Sequence, residues 1–238
     1  MIVKKGVKLN IGCGRSPKPK EEGWINCDLY PGPDADISFD ACDRWPFENE
    51  SIMQIQCDHT LEHLPNYIGF FREAWRVLIP NGQLGIHVPY GWHQSSWWDF
   101  THLRPWLQES FASLQPGFTL FTKNPQHERL KFAFWVVNII LIFERPWARM
   151  WRFRLLRPLV VWAGRHLINV YKNMVVEAVK TTEDDKRSVA FGGQSHPAVV
   201  PCSYGVLEHE YYGKTAEGLP HHKIIIFGGK KNQIISDS

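Results

Sequence analysis

Apolar and polar positions fall into short blocks along the first ninety residues. Val7-Lys8-Leu9-Asn10-Ile11 is an apolar run that enters a Gly12-Cys13-Gly14 turn, and a second run, Trp24 to Leu29, carries an acid, Asp28, near its end. Asp36-Ile37-Ser38-Phe39-Asp40 reads as a short third strand closing on another acid, Trp45 to Ser51 as a loop, and Ile52 to Cys57 as a fourth strand of alternating character. From Tyr67 to Leu78 the period changes: Phe70, Phe71, Ala74, Trp75, Val77 and Leu78 recur at helical spacing until Pro80-Asn81-Gly82 stops the run. Gln83 to Pro89 then predicts a fifth strand. Strands, an amphipathic helix and a further strand in this order predict an α/β fold around a mostly parallel sheet.

The connections are unusual for such a sheet. Only Arg15 to Gly23 separates the glycine turn from the second strand, with Pro17 and Pro19 inside it, and Leu29 to Ala35 contains Pro31-Gly32-Pro33. A parallel crossover ordinarily takes a dozen or more residues and a helix, so the early crossover helices are reduced. One sheet face then needs cover from elsewhere, and the segment from Leu130 to Val179 is the candidate. Its first part, Phe132 to Phe143, is strongly apolar yet shorter than the roughly 20 residues of a spanning helix. Its second part interleaves Trp147, Trp151 and Trp162 with Arg149, Arg152, Arg154, Arg157 and Arg165. Pro146 and Pro158 break it into short pieces. Three readings are open for it: a helical subdomain packed on the sheet, contact with an anionic membrane surface over 130–165, or a nucleic-acid grip, the last least supported. The organisation expected is a core at 1–129, a basic and aromatic helical insertion at 130–180, and a C-terminal part at 181–238 that returns to the sheet. In that last part Tyr204 to Tyr212 is a candidate strand, residues 181–188 a charged linker, 189–201 irregular, and the tail from Lys230 frayed.

Composition narrows the class. Of 238 residues, 44% are hydrophobic and 21% charged, which argues against disorder, and a net charge of +3 is too small to argue for nucleic acid. The five cysteines form no C-x-x-C pair and lie mostly in or beside strands, so they read as reduced, buried thiols. With no signal-peptide pattern at the N-terminus, the expected setting is cytoplasmic, with membrane association through the aromatic segment left open.

The chemistry starts at the glycine turn. Glycines let backbone close on a ligand, and a carboxylate at the tip of the next strand can accept both hydrogen bonds of a ribose diol. The dinucleotide fingerprint is incomplete, because Arg15-Ser16-Pro17 stands where its third glycine would come. After the fifth strand, Tyr90 to Trp106 carries Trp92, His93, Asp99, Thr101, His102 and Arg104, at a strand end where open α/β sheets bind ligands.

Taken in order, LNIGCG, INCDL, PF, H-T-L-E-H-L and E-A-W-R-V-L-I-P-N-G, over about residues 7–111, resemble a class I S-adenosylmethionine-dependent methyltransferase of the type 11-like group. The resemblance implies a Rossmann-like, seven-stranded, mostly parallel sheet. Gly117 to Lys123 would be its sixth strand, and His222 to Gly228 its seventh, antiparallel between fifth and sixth. It implies S-adenosylmethionine as cofactor, held by Asn10, Gly12, Cys13, Gly14, Asp28, Leu29, Asp40, Ala41 and His59. It also implies that Asp99-Phe100-Thr101-His102-Leu103-Arg104, a D-x-T-H-x-R element, lies near the acceptor pocket. Many class I enzymes have an acid where this chain has Asn10. Methyl transfer is an in-line displacement needing alignment and dryness more than a nucleophile. Where the acceptor must lose a proton, His59, His102 (with Asp99) and His93 are the candidate bases, in that order.

His59-Thr60-Leu61-Glu62-His63 also matches H-x-x-E-H, an inverted zinc-protease signature. That motif needs a long surrounding helix, whereas here it sits at a strand-to-helix junction, so no metal is expected and Glu62 and His63 are read as fixing the helix start. The acceptor expected is a small molecule, a sugar or a lipid-linked molecule. Two other functions stay in view: a methyltransferase-fold module without turnover, and a nicotinamide-dependent oxidoreductase, disfavoured by the glycine pattern. Oligomeric state is not legible.

Overall fold

The computed structural model describes residues 6–112, 114, 132–181 and the strand segments 205–209 and 224–228. Its sheet begins with β1 (Val7–Ile11), β2 (Trp24–Asp28), the short β3 (Ile37–Ser38), β4 (Ile52–Asp58) and β5 (Leu78–Pro89). These pair in parallel, in the order β3-β2-β1-β4-β5. Leu9, Ile55, Leu84 and Ile86 are almost fully buried, as strands covered on both faces require.

Helix α1 (Tyr67–Val77) forms where the periodicity predicts it. The Asn66 side chain accepts from the Gly69 N–H at 2.9 Å, satisfying one of the free amides of its first turn. Phe70, Phe71, Ala74 and Val77 make its buried stripe. No α-helix lies between β1 and β2 or between β2 and β3; Lys20–Glu22 is a single 3-10 turn. The loop after β3 supplies apolar mass instead, with Trp45 and Phe47 buried and the Trp45 ring 5.5 Å from Phe70.

Past β5, short helices α2 (Ser95–Trp98) and α3 (Gln108–Ala112) lie in and after the aromatic loop. The expected helical segment is largely strand. Residues 134–143 form β6 (Phe134–Phe143) and residues 171–180 form β7 (Tyr171–Lys180); only α4 (Arg145–Trp151) and α5 (Arg157–His166) between them are α-helical. β7 is antiparallel to both β5 and β6 and lies between them. The antiparallel insertion expected of residues 222–228 is therefore made by β7. The C-terminal strands β8 (Gly205–His209) and β9 (Ile224–Gly228) pair antiparallel with each other, and β9 extends the sheet beyond β6. Among the described residues the sheet has nine strands, two more than expected, in the order β3-β2-β1-β4-β5-β7-β6-β9-β8. The candidate sixth strand at 117–123, the linker at 182–188, the irregular stretch at 189–201 and the tail from Lys230 lie outside the described residues.

Candidate functional site

The carboxyl ends of β1, β2, β4 and β5 lie side by side, and four of the expected site elements meet there. The β1 tip bends at Gly12 (φ 71°) and Gly14 (φ 50°), while the Gly12 and Cys13 N–H groups both donate to Cys27 O, at 2.8 and 3.0 Å. At the tip of β2 the Asp28 carboxylate accepts from Gly14 N at 2.8 Å and Tyr30 N at 3.2 Å, so the acid and the glycine turn form one unit. Phe39 N donates to Asp28 O at 3.0 Å, which brings the β3 end alongside. Asp40 follows, exposed, accepting from Cys42 N; Ala41 beside it is buried and its carbonyl accepts from Trp45 Nε1. Leu29, next to Asp28 at the β2 tip, is 51% exposed.

Asn10 has a different place. It is buried, and its amide donates to Asn26 Oδ1 at 2.9 Å and to Ser16 O at 3.2 Å, tying β1 to β2 and to the loop after the turn. Its contacts shape the turn from below.

The β4 tip carries a histidine cluster. His59 has φ 49°, its ring stands 4.3 Å from that of His87 on β5, and its Nδ1 lies 3.3 Å from Glu62 Oε1. Glu62 is buried, and its Oε2 has no hydrogen-bond partner among the described residues. A half-exposed imidazole held by a buried carboxylate through one nitrogen has the arrangement of an oriented general base. Sequence reasoning chose His59 but gave Glu62 only a helix-start role; the i,i+3 spacing was the available signal. Residues 61–63 form a 3-10 turn and α1 starts at Tyr67, so His59 and His63 do not share a helix face as H-x-x-E-H chemistry requires. The α1 cap is Asn66, so the helix start expected of Glu62 and His63 is fixed by another residue.

The D-x-T-H-x-R loop folds onto this turn. Thr101 Oγ1 donates to Asp99 Oδ1 at 2.7 Å and contacts His63 Nδ1 at 3.0 Å, and the His63 and His102 rings meet edge to face at 4.8 Å. His102 Nε2 stands 3.8 Å from Asp99 Oδ2. The Thr101 hydroxyl and N–H hold the Asp99 carboxyl below its ordinary range, so Asp99 is ionised at neutral pH and suits orienting better than proton removal. Glu62, His63 and His102 each bring one ligating atom within 4.8 Å of the others. Arg104 stacks over Tyr67 and Trp106 and so pins the loop. His93 is buried between Ser95 Oγ at 2.7 Å and Glu144 Oε2 at 3.3 Å, away from the role of a free base. Burial pushes the Cys13, Cys27 and Cys57 thiols up, so all three stay protonated and unreactive at neutral pH.

His87 makes this site acid-sensitive. Burial first, then the neighbouring His59, lowers its pKa to about 4 from an ordinary 6.5, against the opposing pull of Asp58 and Glu62. Between those values the unfolded chain binds a proton that the folded chain refuses. Stability is thus full above about pH 6.5 and falls as pH drops toward about 4. Urea unfolding is expected to lose about 3 kcal/mol from this group as pH falls through that window. His87→Leu should flatten that slope, and an unchanged slope would remove His87 as its cause.

Residues 27–86 match a family described as a methyltransferase domain. A crystal structure of a SAM dependent methyltransferase from Archaeoglobus fulgidus aligns with 74% of this chain and 86% of its own, at 18% identity and a TM-score of 0.50. The fold is that of a class I methyltransferase. A putative methyltransferase from Bacillus halodurans aligns with 75% of this chain and 94% of its own, at 15% identity and a TM-score of 0.44. No curated protein matches the sequence. In this methyltransferase fold, the turn at Gly12–Gly14, Asp28 and the β4 tip all occupy the carboxyl edge of the parallel strands, where such sheets bind ligands.

Proposed function

We propose that the chain is an S-adenosylmethionine-dependent methyltransferase acting on a small-molecule, sugar or lipid-linked acceptor. One observation carries the reading: the Gly12-Cys13-Gly14 turn at the β1 tip is bonded directly to Asp28 at the β2 tip, inside the strand order β3-β2-β1-β4-β5. The residues present suit the cofactor. Asp28 offers a carboxylate for a ribose diol, Leu29 an exposed apolar surface for a base, and Asp40 an exposed acid for an exocyclic amine. The bound cofactor supplies an electrophilic methyl on a sulfonium. The chain's part is to align it, to exclude water with the aromatic loop, and to take a proton at His59 Nε2 where the acceptor carries one. Glu62 fixes the His59 ring, and His102 with Asp99 borders the place an acceptor would enter.

Calorimetric titration with S-adenosylmethionine, S-adenosylhomocysteine and a nicotinamide dinucleotide tests this. The two adenosyl compounds should bind and the dinucleotide should not. Asp28→Ala should weaken adenosyl binding about 30- to 150-fold, since a charge-assisted hydrogen-bond pair is worth roughly 2–3 kcal/mol. No adenosyl binding to the folded wild type would overturn the proposal.

A further inference from the structure

α5 carries apolar residues on the wrong side for a soluble helix. Its core face is satisfied by Val160 and Ala163, both essentially buried. The face beside it, continued from the turn before it, presents Leu155 at 93% exposure, Leu159 at 49% and Trp162 at 52%. These positions are spaced by four and three residues, so they form one stripe pointing away from the protein. Phe153, at 64% exposure, adjoins its start.

A second apolar group lies beside the first. Trp92, Trp97, Trp98 and Phe100, in the loop after β5, are all more than half exposed, Phe100 almost entirely. The two groups are joined by backbone: Asn169 N donates to Trp92 O at 3.0 Å, and Gln94 N donates to the Asn169 side chain at 2.7 Å. Ile168, next to that junction, is 66% exposed. An exposed apolar surface of this extent marks a contact site.

Charge names the occupant. Residues 145–176 contain no Asp or Glu. Arg149, Arg152 and Arg154 are exposed along α4 and the turn that follows it. Large apolar side chains with tryptophan among them, flanked by arginines on an acid-free stretch, with Asp99 of the neighbouring loop engaged by Thr101, suit the boundary of an anionic bilayer, where rings sit at headgroup depth and cations meet lipid phosphates. No helix among the described residues is long and apolar enough to cross a membrane, so the surface would lie on a bilayer rather than span it.

Its position gives it a use. β6 ends at Phe143 opposite Tyr171, the first residue of β7, and Pro89 at the end of β5 pairs with Asn173. The helices between β6 and β7, like the aromatic loop, therefore leave the sheet at the same carboxyl edge as the glycine turn and His59. We propose that α4, α5 and the loop 92–100 form a docking face for an anionic membrane surface, which sets the site at the headgroup level and makes the acceptor a lipid-borne one. The lipid-borne acceptor rests on the methyltransferase reading; the docking face does not.

Co-sedimentation of the full chain with phosphatidylcholine vesicles, with and without a quarter phosphatidylglycerol, tests it. Binding should be at least about ten-fold tighter to the anionic vesicles and should weaken with added salt. Leu155→Ser with Trp162→Ser should abolish sedimentation, and R149Q with R152Q and R154Q should weaken it about 100-fold. S-adenosylhomocysteine titration of both variants should match wild type. That shows they are folded and separates failure of the docking face from failure of the cofactor reading. No sedimentation of wild type with anionic vesicles would overturn the proposal. So would a wild-type dimer in ultracentrifugation that the serine pair dissolves while vesicles remain unbound, because the face would then belong to a second copy.

Discussion

Gly12→Ala is expected to destabilise the protein by about 3 kcal/mol and to remove adenosyl-compound binding. Two independent costs act at this position. Its φ of 71° lies in the left-handed region, where a residue with a Cβ is strained by roughly 1 kcal/mol or more. The new Cβ would also fall 2.0 Å from Thr60 Oγ1, with Thr60 Cγ2 at 2.6 Å and Cβ at 2.8 Å. Something must move, and the candidates are the glycine turn and the β4 tip that carries His59. Gly14 is the control. Its φ of 50° is also left-handed, but a Cβ there meets no atom within 4 Å, so Gly14→Ala should cost only the backbone strain. Removing Thr60's side chain separates the terms: Gly12→Ala with Thr60→Gly should recover the steric part and leave the φ cost. The measurement is a double-mutant cycle in chemical denaturation, with cofactor titration alongside. Strict additivity of the two substitutions would show that the Thr60 contact is not what excludes a side chain from Gly12.

Arg76→Ala should be as damaging, at about 4 kcal/mol. Arg76 is the centre of a clamp between α1 and the loop after β3. Its guanidinium reaches Glu73 at 2.6 Å, Phe47 O and Asn49 Oδ1 at 2.8 Å each, and Trp45 O at 3.1 Å. Glu73 in turn accepts from Trp45 N at 2.9 Å. Burial pushes the Glu73 carboxyl up, but the hydrogen bonds from Arg76 and Trp45 N outweigh it and hold the group below its ordinary value. Truncating Arg76 leaves a buried carboxylate and two carbonyls without their partner, the arrangement in which breaking a pair costs roughly 3–5 kcal/mol. Replacing both members, Glu73→Gln with Arg76→Met, should cost less than Arg76→Ala alone, because no charge is left stranded. The folded carboxyl pKa is depressed, so the clamp's contribution is full above the ordinary carboxylate range and is lost as pH falls through the lower folded value. If Arg76→Ala unfolds at the same urea concentration as wild type, the clamp contributes nothing.

The same residues show what kind of information the sequence held. Glu73 and Arg76 belong to the E-x-x-R-V-L-x-P-x-G run that carried part of the family resemblance, yet their work is to hold the loop 45–49 in place of a missing crossover helix. A motif residue can serve the fold as strictly as a ligand residue serves the site.

Local pattern determined the first half of this protein. β1 to β5 and α1 could be read from alternation, helical period and turn residues because each buries its own apolar positions against near neighbours. The glycine turn and Asp28 were legible for the same reason: they sit at strand ends that the pattern located, and the structure joins them through Gly14 N. The second half depended on distant partners. Phe132 to Phe143 is apolar almost throughout, and a continuous apolar run fits a buried helix and a buried strand equally well. What made residues 134–143 a strand is β7 along one edge, and what made residues 171–180 a strand is β5, from Gln83 opposite Val179 to Pro89 opposite Asn173. Pairing across ninety residues leaves no local trace. The histidine cluster has the same origin: His59 and Glu62 come from one turn, but His87 arrives from β5 and Thr101 and His102 from the aromatic loop. Sequence spacing fixed which side chains could do chemistry, and tertiary packing alone decided which of them meet.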